Sequence, residues 1–322
     1  MAIILGLITA ICFGSGDFFG GLSTKKTSVL NVVAFSHLVG LISVVIIAPF
    51  IADAFAWSDV GIGALAGILG GLGVVGLYRG LATGPMAVVA PLTAIASAAF
   101  PAIWGTLSGE SLTGLAWLGI FIALIAIGLS SLPGRPASGS GASRSVGTVT
   151  VRTIAESLAA GVGFGAMFIL FDLTTDDVAP WPVVGARATT STALLLFLFA
   201  RAISSRNRDA GSDAGTDGGG VAGVFTSIRP ALWLTVATGL FDTGSNVIFL
   251  IATTLGDLTV VAVLSSLYPV STVILARMVL NERMSTSQLT GLALALVATV
   301  MIGPRLTKFG EFEQITPDFR DL

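Results

Sequence analysis

Residues 239–303 read GLFDTGSNVIFLIATTLGDLTVVAVLSSLYPVSTVILARMVLNERMSTSQLTGLALALVATVMIG. The stretch holds apolar runs parted only by very short polar breaks. A bilayer-crossing helix needs about 20 mostly apolar residues. Spans at 231–253, 257–280 and 285–303 meet that length. Their connections are so short that neighbouring helices must be antiparallel hairpins. Shifted back by 172 residues, the stretch aligns without a gap on 67–131. Gly239 then meets Gly67, Val247 meets Val75, and Gly256 meets Gly84. The run Val260–Val261–Ala262 meets Val88–Val89–Ala90, and Leu264 meets Leu92. Glu282 meets Glu110, Gly291 meets Gly119, and Ala295 meets Ala123. Valine and alanine matches are cheap in apolar sequence. The glutamates are not, because each is a lone carboxylate just past the end of a span.

Outside this pair of segments the pattern continues. Further spans read at 2–22, 30–51, 153–173 and 181–203, and the first copy holds 60–81, 85–107 and 112–132. Helices 1–2 align with 6–7 at a shift near 150, which sets Phe13–Gly14 on Phe164–Gly165 and His37 close to Arg187. The chain therefore predicts an all-α, polytopic membrane protein of ten transmembrane helices in two five-helix repeats. Five is odd, so the second repeat enters the membrane from the opposite side. Inverted repeats of this kind place a solute site at the interface between halves. Residues 1–132 form the first repeat and 153–303 the second, joined by a linker at 133–152. The linker is rich in Gly, Ser and Pro, the composition of a flexible connector. A polar, Gly-rich loop near 204–230 reads as disordered, and 304–322 is a polar tail. The first 11 residues carry no Lys or Arg, so span one reads as a retained helix rather than a cleaved signal.

Composition agrees with this architecture. The 322 residues include 16 Lys+Arg and 18 Asp+Glu, or 11% charged, against 54% hydrophobic. A soluble domain carries about 25% charged residues. Mean hydropathy is +0.93. The net charge of −2 excludes the basic footprint that nucleic acid requires. One cysteine, Cys12, and one histidine, His37, exclude a disulfide scaffold and multi-Cys or multi-His metal sites. No GxxxxGK[ST] motif is present to bind ATP. The sequence calls for no cofactor.

The segments FGSGDFFGGLSTKK (13–26), GLYRGLATGPMAVVAPLTAI (76–95) and GE (109–110), with the closing stretch 239–303, resemble the drug/metabolite transporter superfamily, ten-helix EamA-type. In that stretch the resemblance rests on a pair of small-residue helices, SLYP, a glutamate near a helix end and a Gly-containing last helix. The resemblance implies a multi-pass protein of the cytoplasmic membrane, monomeric or homodimeric, that moves a small-molecule solute. Family members export amino acids, metabolites or drugs, or import sugars and other solutes. Members often carry an arginine in both the second and seventh helices. Here the seventh has Arg187 and the second has His37.

Polar residues inside the spans are the site candidates, because a charge at the bilayer centre costs about 2.5–3.5 kcal/mol or more. Arg187 lies too deep in its span to reach the surface. It either clamps a carboxylate or phosphate of the solute or pairs with Asp17, Asp172 or Asp242. His37 is either a satisfied core group or a proton relay, since an unperturbed imidazole titrates at about 6.5. Asp242 and Asn246 are one turn apart on one helix face. That face turns to a cavity or to a buried hydrogen-bond network. Asp17 is acidic within an apolar span. Ser265, Ser266 and Tyr268 precede Pro269, which interrupts the ninth helix and frees carbonyls to line a cavity. The site set is thus Asp17, His37, Arg187, Asp242, Asn246, Ser265 and Tyr268, with protons as a candidate coupling ion. Tyr78, Arg79 and Asp257 lie at helix ends, where snorkelling or capping explains them. Glu110 and Glu282 are expected to cap the following helix or to pair with Arg277 or Arg283. Gly63, Gly67 and Gly71 fall on one helix face, as do Gly161 and Gly165. Small residues let membrane helices approach closely, and the same faces could slide.

Twelve of the 16 basic residues fall in or beside the odd-numbered loops. The positive-inside rule puts those loops in the cytoplasm and both termini outside. The better-known members of the resembling family have both termini inside. Three functions fit a polytopic chain: a secondary transporter, an integral-membrane enzyme, or a non-transporting scaffold. The inverted repeat favours the transporter, taken as an exporter, because a scaffold needs no paired gates. No nucleophile motif supports an enzyme, and the repeat itself does not distinguish import from export.

Overall fold

The computed structural model describes residues 1–83, 86–130, 132, 150–209, 228–280 and 285–302. The linker at 133–149, the segment 210–227, the tail from 303, and Glu282 and Arg283 lie outside the described residues. So do the side chains of Tyr78, Arg79 and Pro91. The first half holds α1 (Ala2–Thr24), α2 (Val29–Ile51), α3 (Trp57–Thr83), α4 (Met86–Leu107) and α5 (Gly114–Ser130). The second holds α6 (Val151–Asp172), α7 (Trp181–Asp209), α8 (Leu232–Thr254), α9 (Leu258–Ser265), α10 (Tyr268–Leu280) and α11 (Thr286–Ile302). Helices α9 and α10 are two parts of one pass. Seven stretches are long and apolar enough to cross a membrane among the described residues, and Leu92–Leu107, Gly114–Leu129 and Thr286–Ile302 are shorter apolar helices. Those short helices span about 25 Å at 1.5 Å per residue. A short pass is accommodated by local bilayer thinning or by flanking residues.

The helix starts obey the offset read from the sequence. Adding 172 to α4 gives the first residue of α9, and adding it to α5 gives both ends of α11. Helix ends have local causes. Ser28 caps α2 by accepting the Asn31 N–H at 3.3 Å, and Thr150 caps α6 by accepting from Thr153 N at 3.1 Å. Gly109 adopts φ 100° in the turn after α4, a conformation that favours glycine. The ninth pass breaks between Ser265 and Tyr268. Pro269 has no N–H to continue the ladder, so α10 restarts there.

Packing runs mainly between the halves, not within them. Helix α1 packs on α8, α3 on α6 and α7, α4 on α6, α2 on α7 and α8, and α5 on α11. Exchange each helix for its repeat mate and each of these pairs maps onto another or onto itself, α4 on α6 having its counterpart in α1 on α9 and α10. The pattern is that of a two-fold interface, where each contact has its swapped counterpart. Glycine permits the approach. A Cβ on Gly67 would strike the backbone of Ala186, and one on Gly239 would strike the backbone of Ser36. These are repeat-equivalent contacts: Gly67 and Gly239 differ by 172, Ser36 and Ala186 by 150. Gly63 likewise abuts Pro182, and Gly161 abuts Thr93. The glycine faces are helix–helix contacts at backbone distance.

The outer faces stay apolar. Ile46, Phe50, Leu72, Phe121, Leu196 and Val300 are exposed, as a lipid-facing surface requires. One apolar core cluster joins α4, α5, α9 and α11 through Ala98, Ala102, Ala123, Ile127, Leu264 and Ala298. Another joins α6, α7, α8 and α9 through Phe168, Val183, Phe249 and Val261.

The glutamate expectation needs correction. Glu110 does not cap the helix that follows it. Its carboxylate accepts the backbone N–H of Thr259 at 3.2 Å, in the first turn of α9 in the other half. That N–H is one of the unpaired donors at a helix start, and the helix dipole favours a negative charge there. Gly105 leaves the room, since its Cβ would collide with both Glu110 and Thr259. Asp59 does a similar task, accepting from Thr175 N at 3.4 Å and Thr175 Oγ1 at 2.9 Å across the halves.

Candidate functional site

A cavity of about 120 Å³ lies between the halves. That is several times the space one water needs. Helices α1, α2, α3, α6, α7 and α8 all line it, with Tyr268 of α10. Of the seven residues picked from the sequence, Asp17, His37, Arg187, Asp242, Asn246 and Tyr268 line this cavity. Ser265 does not. It is fully buried among apolar neighbours in α9, and its hydroxyl has no partner among the described residues. The adjacent Ser266 turns the other way and meets Ser97, a lining residue, at 3.4 Å.

Arg187 and Asp242 form the centre of the site. Arg187 Nη2 lies 2.6 Å from Asp242 Oδ2. The same nitrogen donates to the Asp242 carbonyl at 3.1 Å. Asn246 Nδ2 donates to that carbonyl at 2.7 Å, which ties the two residues of the polar face together. The sequence left three acidic partners open for Arg187, and the structure selects Asp242. The guanidinium is thus already matched by a protein carboxylate. Its Nε and the Asn246 Oδ1 are buried with no partner among the described residues, so one donor and one acceptor remain.

His37 stands between Asp242 of the pair and Thr190 of α7. Its Nδ1 is 2.9 Å from Thr190 Oγ1, and its Nε2 is 3.8 Å from Asp242 Oδ2. Thr190 has one hydroxyl hydrogen and lies 2.9 Å from the Ala186 carbonyl. If the hydroxyl donates there, Nδ1 must be the donor to Thr190. The neutral ring then presents a bare Nε2 toward the carboxylate. A proton added at Nε2 would face Asp242 directly. Histidine position and aspartate charge are therefore linked through one contact.

Asp17 enters from α1. Gly16 packs directly on the backbone of Asp242, its Cβ position 3.3 Å from the Asp242 nitrogen, and this sets Asp17 beside the Arg187 pair. Asp17 is exposed, and the space it meets is the cavity. Among the described residues no cation forms an ion pair with it. An aromatic wall stands over it. Phe13 is one turn before Asp17 and meets Tyr268 edge-on at 6.4 Å and Phe168 at 6.0 Å. Phe168 stacks on Phe249 at 4.3 Å. Thr190, Met167, Phe164 and Phe168 all line the cavity and were not among the site residues picked from the sequence. A threonine or phenylalanine in an apolar span carries no signal of its own. The one available hint was spacing: Thr190 follows Arg187 by three residues and shares its face.

The relation to known proteins rests on this architecture. A family model described as the EamA-like transporter family matches residues 1–132 and 153–303. The chain belongs to the EamA-like transporter family. It is a multi-pass membrane transporter, as the apolar helices and the family together require. Among curated proteins, none matches this chain. A solved structure described as "Crystal structure of protein" is similar over 94% of this chain and 96% of its own length. The identity is 17% and the TM-score 0.59, so the likeness concerns the fold.

Proposed function

We propose that this EamA-family chain is a secondary transporter that exports a small metabolite or drug-like solute across the cytoplasmic membrane. The observation that carries the reading is the cavity itself. It lies between two repeat-related halves and is lined by both. The ion pair Arg187–Asp242, with His37 beside it, bridges helices α2, α7 and α8 across the halves. A solute bound there touches both halves at once. Rocking one half against the other would then change access without moving the site, which is alternating access. Residues 1–132 and 153–303 act as the two moving units in this scheme. His37 and the nearby carboxylates supply groups for proton coupling. The chain works as a monomer or a homodimer, since the cavity needs residues of one chain only.

The test is flux in proteoliposomes of purified protein, with a panel of cationic, zwitterionic, anionic and neutral solutes. A saturable, gradient-driven flux of at least one solute is expected, abolished by Asp242→Ala. Simple leak unaffected by site substitutions, for every solute tried, would sink the transport reading.

A further inference from the structure

The repeat supplies an internal comparison that isolates what packing does not require. Asp242 corresponds to Gly70 at the 172-residue offset. At the shift that sets Phe13–Gly14 on Phe164–Gly165, Asp17 corresponds to Phe168 and Gly16 to Met167. In the first half Gly70 packs on the Met167 side chain; a Cβ there would meet the sulfur. In the other half the equivalent crossing is Asp17 beside Asp242, with Gly16 against the Asp242 backbone. The same crossing is thus built once from apolar residues and once with two carboxylates. The frame is symmetric and its charge is not. The acidic pair is an addition that helix packing does not demand.

The charge balance follows. Arg187 neutralises Asp242 at 2.6 Å. His37 is neutral unless it takes up a proton. Asp17 is left as a carboxylate facing the cavity, with no cation paired to it among the described residues. A charge held in a membrane interior calls for a counter-charge. The surface beside Asp17 is aromatic: Phe13 and Tyr268 at ring contact, with Phe168 behind. A carboxylate next to aromatic faces is the chemistry that recognises an organic ammonium, since the ring face attracts a cation. An anion would meet the same carboxylate and find its natural clamp, Arg187, occupied.

We propose that the solute is an organic cation, held with its ammonium between the Asp17 carboxylate and the Phe13–Tyr268 wall. This names the substrate class within the transport reading, and its test reads binding rather than flux. The full-length protein is placed in lipid nanodiscs. Benzyltrimethylammonium, benzyl alcohol and benzoate are titrated by thermal shift and by isothermal calorimetry. The cation should bind at least tenfold more tightly than benzyl alcohol or benzoate. Asp17→Asn should remove that preference, whereas Asp17→Glu, which keeps the charge, should retain it within a few-fold. Phe13→Leu keeps the apolar volume and removes the ring face. It should weaken the cation roughly two- to thirty-fold and leave benzyl alcohol nearly unchanged.

Tighter binding of benzoate than of the cation overturns the proposal, as does a cation affinity unchanged in folded Asp17→Asn. Cation binding without flux of any solute would instead remove the transport reading and leave the ligand class standing. Flux of anions with no cation binding does the reverse.

Discussion

Removing either member of the Arg187–Asp242 pair should destabilise the protein, and the two losses should differ in a direction set by burial. The arginine side chain is 8% exposed and the aspartate side chain 30%. Breaking a buried pair by deleting one partner costs about 3–5 kcal/mol, because the other charge is left uncompensated. Asp242→Leu strands the guanidinium, the more buried group, with only the Asp242 backbone carbonyl still in reach. Its cost should lie near the upper end, about 4–5 kcal/mol. Arg187→Met strands the carboxylate, which keeps access to the cavity and to His37. Its cost should fall to about 2–3 kcal/mol, discounted for that exposure. The double variant leaves neither charge behind. Apolar replacement of both members of a buried pair is often neutral, so it should sit within about 1 kcal/mol of the parent.

The assay is reversible unfolding in mixed micelles with increasing SDS, followed by far-UV circular dichroism on all four proteins. Subtracting the single effects from the double gives the coupling energy. Residues in one network show coupling of roughly 0.5–3 kcal/mol, and the costs above put this pair beyond that range, at about 5 kcal/mol or more. Flux read alongside separates two roles that the sequence left open for Arg187. Additive single effects would refute the reasoning, as would a larger cost for Arg187→Met than for Asp242→Leu. Additivity would mean that water in the cavity solvates both charges and the pair carries no structural energy; the reversed order would mean that the carboxylate depends on its partner more than the guanidinium does.

Two further predictions concern the frame. Gly67→Leu should lower the folded yield or cost about 1–3 kcal/mol, since the new side chain strikes the Ala186 backbone; Ile68→Leu, on the exposed face beside it, should cost less than 1 kcal/mol in the same unfolding assay. Glu110→Gln keeps an acceptor for Thr259 N but removes the charge at the α9 start, and should cost about 0.3–1 kcal/mol, while Glu110→Ala should cost about 1–2 kcal/mol.

Much of the architecture could be read before any coordinates, for a physical reason. Lipid forces every backbone group into a helix, so hydropathy alone marks the passes. The repeat offset then fixed where α9 and α11 begin, because a gapless alignment preserves helix phase. Charges inside spans were legible for the same reason: they are too costly to be accidental. Asp17, His37, Arg187 and Asp242 therefore stood out and do surround one cavity. What stayed hidden were partners distant in sequence. Glu110 caps a helix 149 residues away, and Thr190 meets His37 across 153 residues. Ser265 was chosen for its place before a proline. At a helix end adjacent residues diverge, and it is Ser266 that turns toward Ser97 at the cavity.

Symmetry of packing and asymmetry of charge do different work in one molecule. Gly67 on Ala186 and Gly239 on Ser36 are the same backbone contact made twice. Each exists because a Cβ would forbid it. In the proposed transport cycle, a frame held by equivalent contacts at two places would have two arrangements related by exchanging the roles of the halves. A ligand shifts such an equilibrium only by its difference in affinity for the two states. If all lining groups obeyed the two-fold, a solute would bind both arrangements equally and bias neither. Asp17 and Asp242 break the two-fold, because their mates are Phe168 and Gly70. A cation held at Asp17 therefore touches α1 in a way that nothing in α6 can reproduce. A bias between the two arrangements requires that kind of difference, while the direction of net flux follows the gradients. In this chain the difference resides in side chains, the two carboxylates and Arg187 standing opposite His37, and not in the helices that carry them.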